Sequence, residues 1–293
     1  MSPDEFYSFF VNLVMAPLVL VIGICGNMMG LIVIYRSKLK NIGPIFIYKF
    51  LFIADSIYLP QIVVSYLITG FNFDSTILSS LACKIYQYFN FVPDAISPWL
   101  LVYISLEKLI SIGLPQKRFI LRDKSSQNTY IIGLVLFCFV YYLAQPFCFD
   151  LINIGGTNET KIICHFANND LSKLSALMDT IHRVILPFTF MGIFSILLII
   201  IIFRSRSRVS NSVNASKRLK RDIRFAISSL SMNLLFVVLN LPLSVLNLLT
   251  GQSLTSIYLT VYLFYLSYGI NFYVILITNS IFRNEVFALI KAK

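Results

Sequence analysis

A single carboxylate constrains the fold of this chain more than any other residue. Asp55 lies in the middle of the apolar run from Ile45 to Ile68, where the only other charged residue is Lys49, near its start. In hydrocarbon a carboxylate costs several kcal/mol unless it faces a polar or hydrated interior. Asp55 is therefore incompatible with a lone, lipid-facing anchor and predicts a bundle of spanning helices around a polar core.

Composition excludes a soluble protein. The chain is 57% hydrophobic and 13% charged, whereas about a quarter of the residues of a soluble domain are charged. Seven stretches have the ~20 apolar residues that cross a bilayer: approximately 6–35, 44–69, 81–112, 129–149, 178–203, 225–249 and 256–278. Segment 280–291 has the apolar stripe of a short interfacial helix. We predict an all-α membrane protein with one domain over 1–293, a seven-transmembrane-helix bundle with a short amphipathic C-terminal helix.

The distribution of basic residues predicts the orientation. The chain has 24 Lys and Arg residues and a net charge of +11. The outer half receives only Lys84, Lys161, Lys173 and Arg183, while the segment from Arg204 to Arg224 is strongly basic. Basic loops stay in the cytoplasm. We therefore expect a multi-pass plasma-membrane protein in contact with the lipid bilayer, with its N-terminus extracellular and its C-terminus cytoplasmic. The same asymmetry explains the positive charge without a nucleic-acid partner.

Two cysteines and one asparagine mark the outer surface. Cys83 opens the third stretch, and Cys164 lies in the loop after the fourth stretch. Because an extracellular location favours disulfides, we predict that these two cysteines are bonded. Asn158 begins a glycosylation sequon in the same loop, whereas the sequon at Asn214 lies on the cytoplasmic side. We expect only Asn158 to be modified.

Short motifs follow one another in a defined order along nearly the whole chain. They are Gly26-Asn27, Leu51-Phe52-Ile53-Ala54-Asp55, Cys83, Ser105-Leu106-Glu107-Lys108-Leu109, Pro187, Pro242 and Asn271-Phe272. In this order and spacing they resemble the rhodopsin-like (class A) G-protein-coupled receptor family. The resemblance implies a receptor, and not an enzyme, that binds an extracellular ligand and activates a heterotrimeric G protein. The last motif also resembles invertebrate neuropeptide receptors of the FMRFamide-receptor-like group, which favours a peptide ligand.

Several positions depart from the family pattern. Lys108 stands where most members have arginine, and Asn240 stands where they have tryptophan. Phe272, Ile275 and Ser195 replace a proline and two tyrosines. A receptor-like protein that does not couple to G proteins therefore remains an alternative. A transporter or channel is a weaker one, because the chain shows neither internal repeats nor the broken helices of a midplane substrate site.

The resemblance also implies two internal sites. Glu107 and Lys108 at the cytoplasmic end of the third span would form a G-protein switch with Asp222, in which Lys108 pairs with one of the two acids at rest. The alternative is that Asp222 is a solvated charge in a basic loop. A sodium site, the only cofactor expected, would be formed by four residues, Asp55, Ser97, Ser267 and Asn271. The alternative there is a hydrogen-bonded polar cluster without an ion.

Charged residues nearer the outer surface are candidates for ligand binding. Asn90, Asp94 and Ser97 share one helix face by their spacing, and Arg183 follows Asp179 by four residues. Arg183 can pair with Asp179 along the helix or reach Asp94 across the bundle. The pair is then either an internal ion pair or a ligand anchor. The full candidate set is Asn90, Asp94, Arg183, Gln87, Asn247, Tyr262 and Tyr265, a polar and aromatic mixture that suits a peptide better than a lipid.

Overall fold

The computed structural model describes residues 3–36, 43–71, 79–113, 123–154, 161–206, 213–246 and 253–291. Within these ranges the chain forms helices joined by short segments and one β-hairpin. The helices are α1 (Pro3–Arg36), α2 (Gly43–Tyr58), α3 (Gln61–Phe71), α4 (Ser80–Gly113), α5 (Lys124–Tyr141), α6 (Asn169–Asp179), α7 (Leu186–Arg206), α8 (Val213–Leu246), α9 (Leu254–Gly269), α10 (Asn271–Thr278) and α11 (Ser280–Lys291). A 3₁₀ segment, Tyr142–Cys148, follows α5, and a π-helical segment, Thr180–Ile185, joins α6 to α7.

The helices confirm the predicted seven-span bundle. Six are long and apolar enough to cross a membrane, and α9 with α10 makes a seventh span, bent by 55°. We number the spans in chain order: α1 is the first, α2 with α3 the second, α4 the third, α5 with the 3₁₀ segment the fourth, α6 to α7 the fifth, α8 the sixth and α9 with α10 the seventh. The third span is the centre of the bundle, because 72% of its apolar window is buried, against 28% for the first.

Prolines interrupt two of the spans. Pro60 cannot donate a backbone hydrogen bond, and its ring would clash with the carbonyl one turn earlier, so α2 ends at Tyr58 and α3 begins at Gln61. The wide π-helical turn of Thr180–Ile185 ends two residues before Pro187 in the fifth span. Wide turns of this kind are frequent at functional sites. The apolar pattern of the sequence predicts neither irregularity.

A β-hairpin that the sequence did not predict covers one end of the bundle. Its strands, β1 (Phe149–Ile154) and β2 (Lys161–Phe166), are antiparallel, with Leu151 opposite Cys164. The predicted disulfide Cys83–Cys164 is present and joins β2 to the start of the third span. We call this end of the bundle the hairpin end.

Asp150 attaches the hairpin to the third span a second time. Ser80 Oγ donates to Asp150 Oδ1 at 2.7 Å, and Lys84 Nζ lies 3.9 Å from Oδ2. These contacts, led by the Ser80 hydrogen bond and the backbone N–H of Leu151, hold the pKa of the Asp150 carboxyl below its usual value. The carboxylate therefore stays charged across the physiological pH range.

The C-terminal helix α11 has the bounds and the amphipathic character that the sequence predicts. Asn279 Oδ1 accepts hydrogen bonds from the N–H groups of Ile281 and Phe282, which caps the helix start. Phe282 and Val286 are buried against the bundle, while Ile290 on the outer side is exposed. Such a helix suits the interface between membrane and water.

Candidate functional site

A cavity of about 380 Å³ lies at the hairpin end of the bundle. Its lining comes from the second, third, fifth, sixth and seventh spans and from β2: Tyr58, Asn90, Phe91, Asp94, Phe166, Ser175, Ala176, Asp179, Thr180, Arg183, Leu243, Val261, Phe264 and Tyr265. Ligand sites typically combine an apolar or aromatic wall with a few polar groups. This cavity has that character, and its charged residues lie together on one side.

Arg183 joins two carboxylates on the wall of this cavity. Its Nη2 and Nε atoms donate to Asp179 Oδ2 at 2.8 and 3.1 Å. Its Nε atom also lies 3.3 Å from Asp94 Oδ2 of the third span. All three side chains are buried. Arg183 thus does both things that the sequence left open, pairing along its own helix and across the bundle.

Neutral groups hold this ion cluster in place. The Tyr268 hydroxyl hydrogen-bonds to the Asp94 carboxylate, and the Tyr142 hydroxyl donates to Asp179 Oδ1 at 3.0 Å. The guanidinium carbon of Arg183 lies 4.6 Å from the centre of the Phe264 ring. Buried charges need such partners to offset their desolvation. The cluster therefore ties the third, fourth, fifth and seventh spans together.

The predicted ligand residues divide into two groups. Asn90 and Tyr265 line the cavity with Asp94 and Arg183. Gln87 and Tyr262 are not among its lining residues. Gln87 Nε2 lies 3.7 Å from Cys164 Sγ, and the Tyr262 hydroxyl hydrogen-bonds to Asn12 of the first span. Asn247 lies outside the described residues.

Other cavity residues were absent from the predicted set. Ser175 lies before the predicted start of the fifth span and lines the cavity because that span begins at Asn169. Thr180 lines it from within the predicted span. Phe166 reaches it from the hairpin. Tyr268 lies one helical turn beyond Tyr265, and that spacing was the only sequence signal for its contact with the cluster.

Asp55 lies at the centre of a second buried cluster, between the ends of the bundle. Ser97 Oγ donates to Asp55 Oδ1 at 2.6 Å, and Asn271 Nδ2 donates to Oδ2 at 2.8 Å. Ser267 instead donates to the carbonyl of Phe264 at 2.7 Å in its own helix. Among the described Lys and Arg residues, none forms an ion pair with Asp55.

Lys108 is buried at the opposite end of the third span. Its Nζ atom lies 2.6 Å from Glu107 Oε2, and both side chains are almost completely inaccessible to solvent. The ammonium group also lies 5.3 Å from the ring centre of Phe225 in the sixth span and 5.8 Å from that of Tyr48 in the second. We call these four residues the Lys108 cluster. Asp222 lies three residues before Phe225 on α8, and its side chain is outside the described part of the structure.

A polar network adjoins the Lys108 cluster on the sixth span. Asn233 Nδ2 donates to Ser105 Oγ of the third span at 2.8 Å and to Ser195 Oγ of the fifth at 3.1 Å. Thr278 Oγ1 donates to Ser228 Oγ at 2.9 Å, which connects the seventh span to the sixth. The sixth span is therefore held at this end by side-chain hydrogen bonds and aromatic contacts from four neighbouring spans.

The fold and these clusters define a seven-helix membrane receptor, with a cavity at one end and a buried charged cluster at the other. The model of the 7 transmembrane receptor (rhodopsin family) matches residues 26–271, which is more than four fifths of the chain. The chain belongs to this family and is a multi-pass plasma-membrane protein. No curated protein matches it.

Proposed function

We propose that this receptor binds an extracellular peptide in the hairpin-end cavity and activates a heterotrimeric G protein at the opposite end. The observation that carries the proposal is the cavity itself. It draws its lining from five spans and the hairpin, and it places charged, amide and hydroxyl groups among aromatic rings. In this proposal the hairpin end faces the outside of the cell, where its disulfide is stable, and the basic segments face the cytoplasm.

The size of the cavity and the hairpin beside it favour a peptide. About 380 Å³ is near the lower limit of ordinary ligand pockets, so a peptide would insert one end and leave the rest above. The two-stranded sheet leaves each strand with an outer edge. An extended peptide can add main-chain hydrogen bonds at such an edge. The apolar chain of a lipid would gain nothing from the buried ion cluster.

Activation in this proposal moves the sixth span at the end that holds Lys108. Phe225, Ser229 and Asn233 lie on this span and contact the third span directly or through Lys108. A ligand that binds the moved state better than the resting state shifts the population toward it. Glu107 and Lys108 are then the charged part of the switch, as the sequence predicts. The contribution of Asp222 stays a prediction.

A ligand screen tests the proposal. Cells that express the surface-tagged receptor with sensors for each G-protein class are exposed to pools of synthetic peptides, and basal activity is recorded. We expect at least one pool to evoke a response. Asp94→Asn should weaken that response at least about tenfold, because it removes a charged group from the cavity wall and one of the two carboxylate partners of Arg183. Asp170→Asn neutralises an exposed carboxylate outside the cavity lining and should leave the response unchanged.

Two results would count against the proposal. A receptor that reaches the surface, yet gives neither basal nor evoked signal with any sensor, would favour a receptor-like protein that does not couple. A response of equal strength in the receptor and in Asp94→Asn would mean that the peptide acts at a site other than this cavity.

We also propose that Asp55 holds a sodium ion. The residues fit the ion: none of the described Lys and Arg residues pairs with the buried carboxylate, Ser97 and Asn271 each donate a hydrogen bond to it, and the buried Asn27 Oδ1 has no hydrogen-bond partner among the described groups. Oxygen ligands suit a hard cation. Bound sodium would offset the charge of Asp55 and stabilise the resting bundle.

Thermal unfolding of the purified receptor tests for this ion. Replacing potassium chloride by sodium chloride at constant ionic strength should raise the unfolding temperature by a few °C, roughly what saturation of one site supplies. Asp55→Asn should abolish the difference between the two salts. Equal unfolding temperatures in sodium and potassium would leave the hydrogen-bonded cluster without an ion as the better description.

A further inference from the structure

The charges on the wall of the cavity do not balance. Of the described residues that line it, three are charged: Asp94, Asp179 and Arg183. Two carboxylates therefore share one guanidinium, and the cluster carries one excess negative charge. An uncompensated charge in a buried site is costly, so this arrangement favours a ligand that supplies a cation.

The groups around the cluster do not supply the missing charge. Tyr268 and Tyr142 contact the carboxylates through neutral hydroxyls. His182 lies behind Tyr142, with Nδ1 3.2 Å from its hydroxyl oxygen, and its buried Nε2 has no hydrogen-bond partner among the described groups. A protonated imidazole would leave a charged N–H donor buried and unsatisfied there. The neutral ring fits this environment.

The excess charge is located mainly on Asp94. Arg183 makes its two shorter contacts, at 2.8 and 3.1 Å, with Asp179, whereas its nearest contact with Asp94 is 3.3 Å. Asp94 also lines the cavity, one helical turn from Asn90, whose amide oxygen is a further acceptor. A cation that enters the cavity therefore finds its least compensated carboxylate at Asp94.

The aromatic lining suits the same ligand group. Phe166, Phe264 and Tyr265 border the cavity, and Phe264 already stacks on the guanidinium of Arg183. Rings attract cations through their faces, and they attract arginine more often than lysine. A ligand carboxylate would instead be repelled by Asp94 and Asp179, and the cation of Arg183 already pairs with both of them.

We propose that the buried end of the ligand carries a cationic group, a guanidinium or an ammonium, that pairs with Asp94 in the cavity. The inference rests on the proposed function, because it assigns the ligand class of that same cavity. It excludes a ligand whose only charged group at this depth is a carboxylate.

Thermal unfolding of the purified receptor with small matched probes tests the ligand class without any signalling. N-acetyl-argininamide and N-acetyl-citrullinamide have nearly the same shape, and only the first is charged. At high millimolar concentration the arginine amide should raise the unfolding temperature by about 2 °C, and the citrulline amide by much less. N-acetyl-lysinamide shows whether an ammonium group binds as well as a guanidinium group. Stabilisation by either cation satisfies the proposal.

Charge variants of the cavity provide the control. Asp94→Asn should remove the preference for the charged amide, and Arg183→Gln, which raises the excess negative charge, should increase it. Asp170→Asn neutralises an exposed carboxylate outside the cavity lining and should keep the preference of the unmodified receptor. If one cavity variant fails to fold, the comparison of the two amides on the unmodified receptor still tests whether the ligand group is cationic.

The outcomes separate this inference from the proposed function. Equal stabilisation by the arginine and citrulline amides, or no stabilisation by any cationic probe, would overturn the cationic ligand even if a neutral peptide evokes signalling. A selective effect of the cationic amides in a receptor that never couples would support the ligand class while the proposed coupling fails. A preference that survives Asp94→Asn would overturn the assignment to Asp94.

Discussion

Lys108, at the end of the third span, stands where the family usually has arginine, and this difference changes the contacts of the predicted switch. An arginine there can form two parallel hydrogen bonds to a carboxylate, whereas Lys108 offers a compact charge on a flexible stem. In this structure the ammonium group of Lys108 forms an ion pair with Glu107, and the rings of Phe225 and Tyr48 flank it. Phe225 thus gives Lys108 an aromatic contact from the sixth span.

Loss of the Phe225 ring should weaken the resting state. Phe225→Ala removes an aromatic contact of Lys108 with the sixth span, and a cation–π contact contributes from about 0.5 kcal/mol at an exposed site to about 2 kcal/mol when it is desolvated. We expect basal signalling, normalised to surface expression, to rise roughly two- to thirtyfold, the range that these energies correspond to. Ile227→Ala shortens an exposed side chain two residues further along the same helix and should leave basal signalling unchanged. Unchanged basal activity in a well-expressed Phe225→Ala receptor would show that the ring does not restrain the sixth span.

At the residue scale, the sequence predicts which polar groups belong together better than it predicts their contacts. Asp55, Ser97 and Asn271 meet as the spacing and the family resemblance imply. Ser267 belongs to the same region, but its hydroxyl bonds to its own helix. A hydroxyl can rotate to whichever acceptor is nearest, including the carbonyl one turn back. That choice depends on side-chain geometry, which residue spacing does not encode.

At the scale of elements, hydropathy locates the spans but not their irregularities. Pro60 and Pro187 both lie in apolar stretches, but Pro60 breaks the second span whereas Pro187 follows a π-helical turn. Whether a proline breaks a helix or follows a wide turn depends on the packing around it, and the order of apolar residues does not contain this information. The hairpin was missed for another reason: β2, Lys161–Phe166, lacks the alternation of apolar and polar residues that predicts a strand.

The crossing of the first and seventh spans depends on two glycines. A Cβ atom on Gly269 would lie 2.7 Å from the Cα atom of Gly23, and one on Gly23 would lie 3.1 Å from the Cα atom of Gly269. Small residues allow membrane helices to approach this closely. The contact also lies next to the bend at Ile270, where α9 ends and α10 begins.

Gly269→Ala should therefore destabilise the receptor. Either the two backbones separate or the crossing angle changes, and overpacking of this kind costs about 1–3 kcal/mol. We expect the unfolding temperature of the purified receptor to fall by several °C. Gly192→Ala is the matched control, because a Cβ atom there meets nothing within 4 Å, and it should be neutral or slightly stabilising in a helix. An unfolding temperature for Gly269→Ala at or above that of Gly192→Ala would contradict the close crossing.

At the scale of the whole molecule, the third span connects every cluster. It carries Cys83 at the hairpin, Asp94 in the cavity, Ser97 beside Asp55, and Lys108 at the opposite end. The 25 residues from Cys83 to Lys108 make ~37 Å of helix, enough to cross the membrane. Because Asp94 and Lys108 lie on the same helix, the ligand contact proposed at Asp94 would act on the helix that carries Lys108, without an intermediate element.

This arrangement makes sense for signalling only if the cavity faces outward, and the orientation can be measured. An epitope tag before residue 1 should be accessible to antibody on intact cells, whereas a tag after residue 293 should require permeabilisation.

The two glycosylation sequons provide an independent test of the orientation. Asn158→Gln should remove a glycosidase-sensitive mobility shift, and Asn214→Gln, which changes the same residue type in the basic segment, should not. Asn158 lies outside the described residues, but the flanking strand β2 carries the disulfide. Glycan on Asn214, or a C-terminal tag exposed on intact cells, would show that the bundle has the inverted orientation, with the cavity facing the cytoplasm.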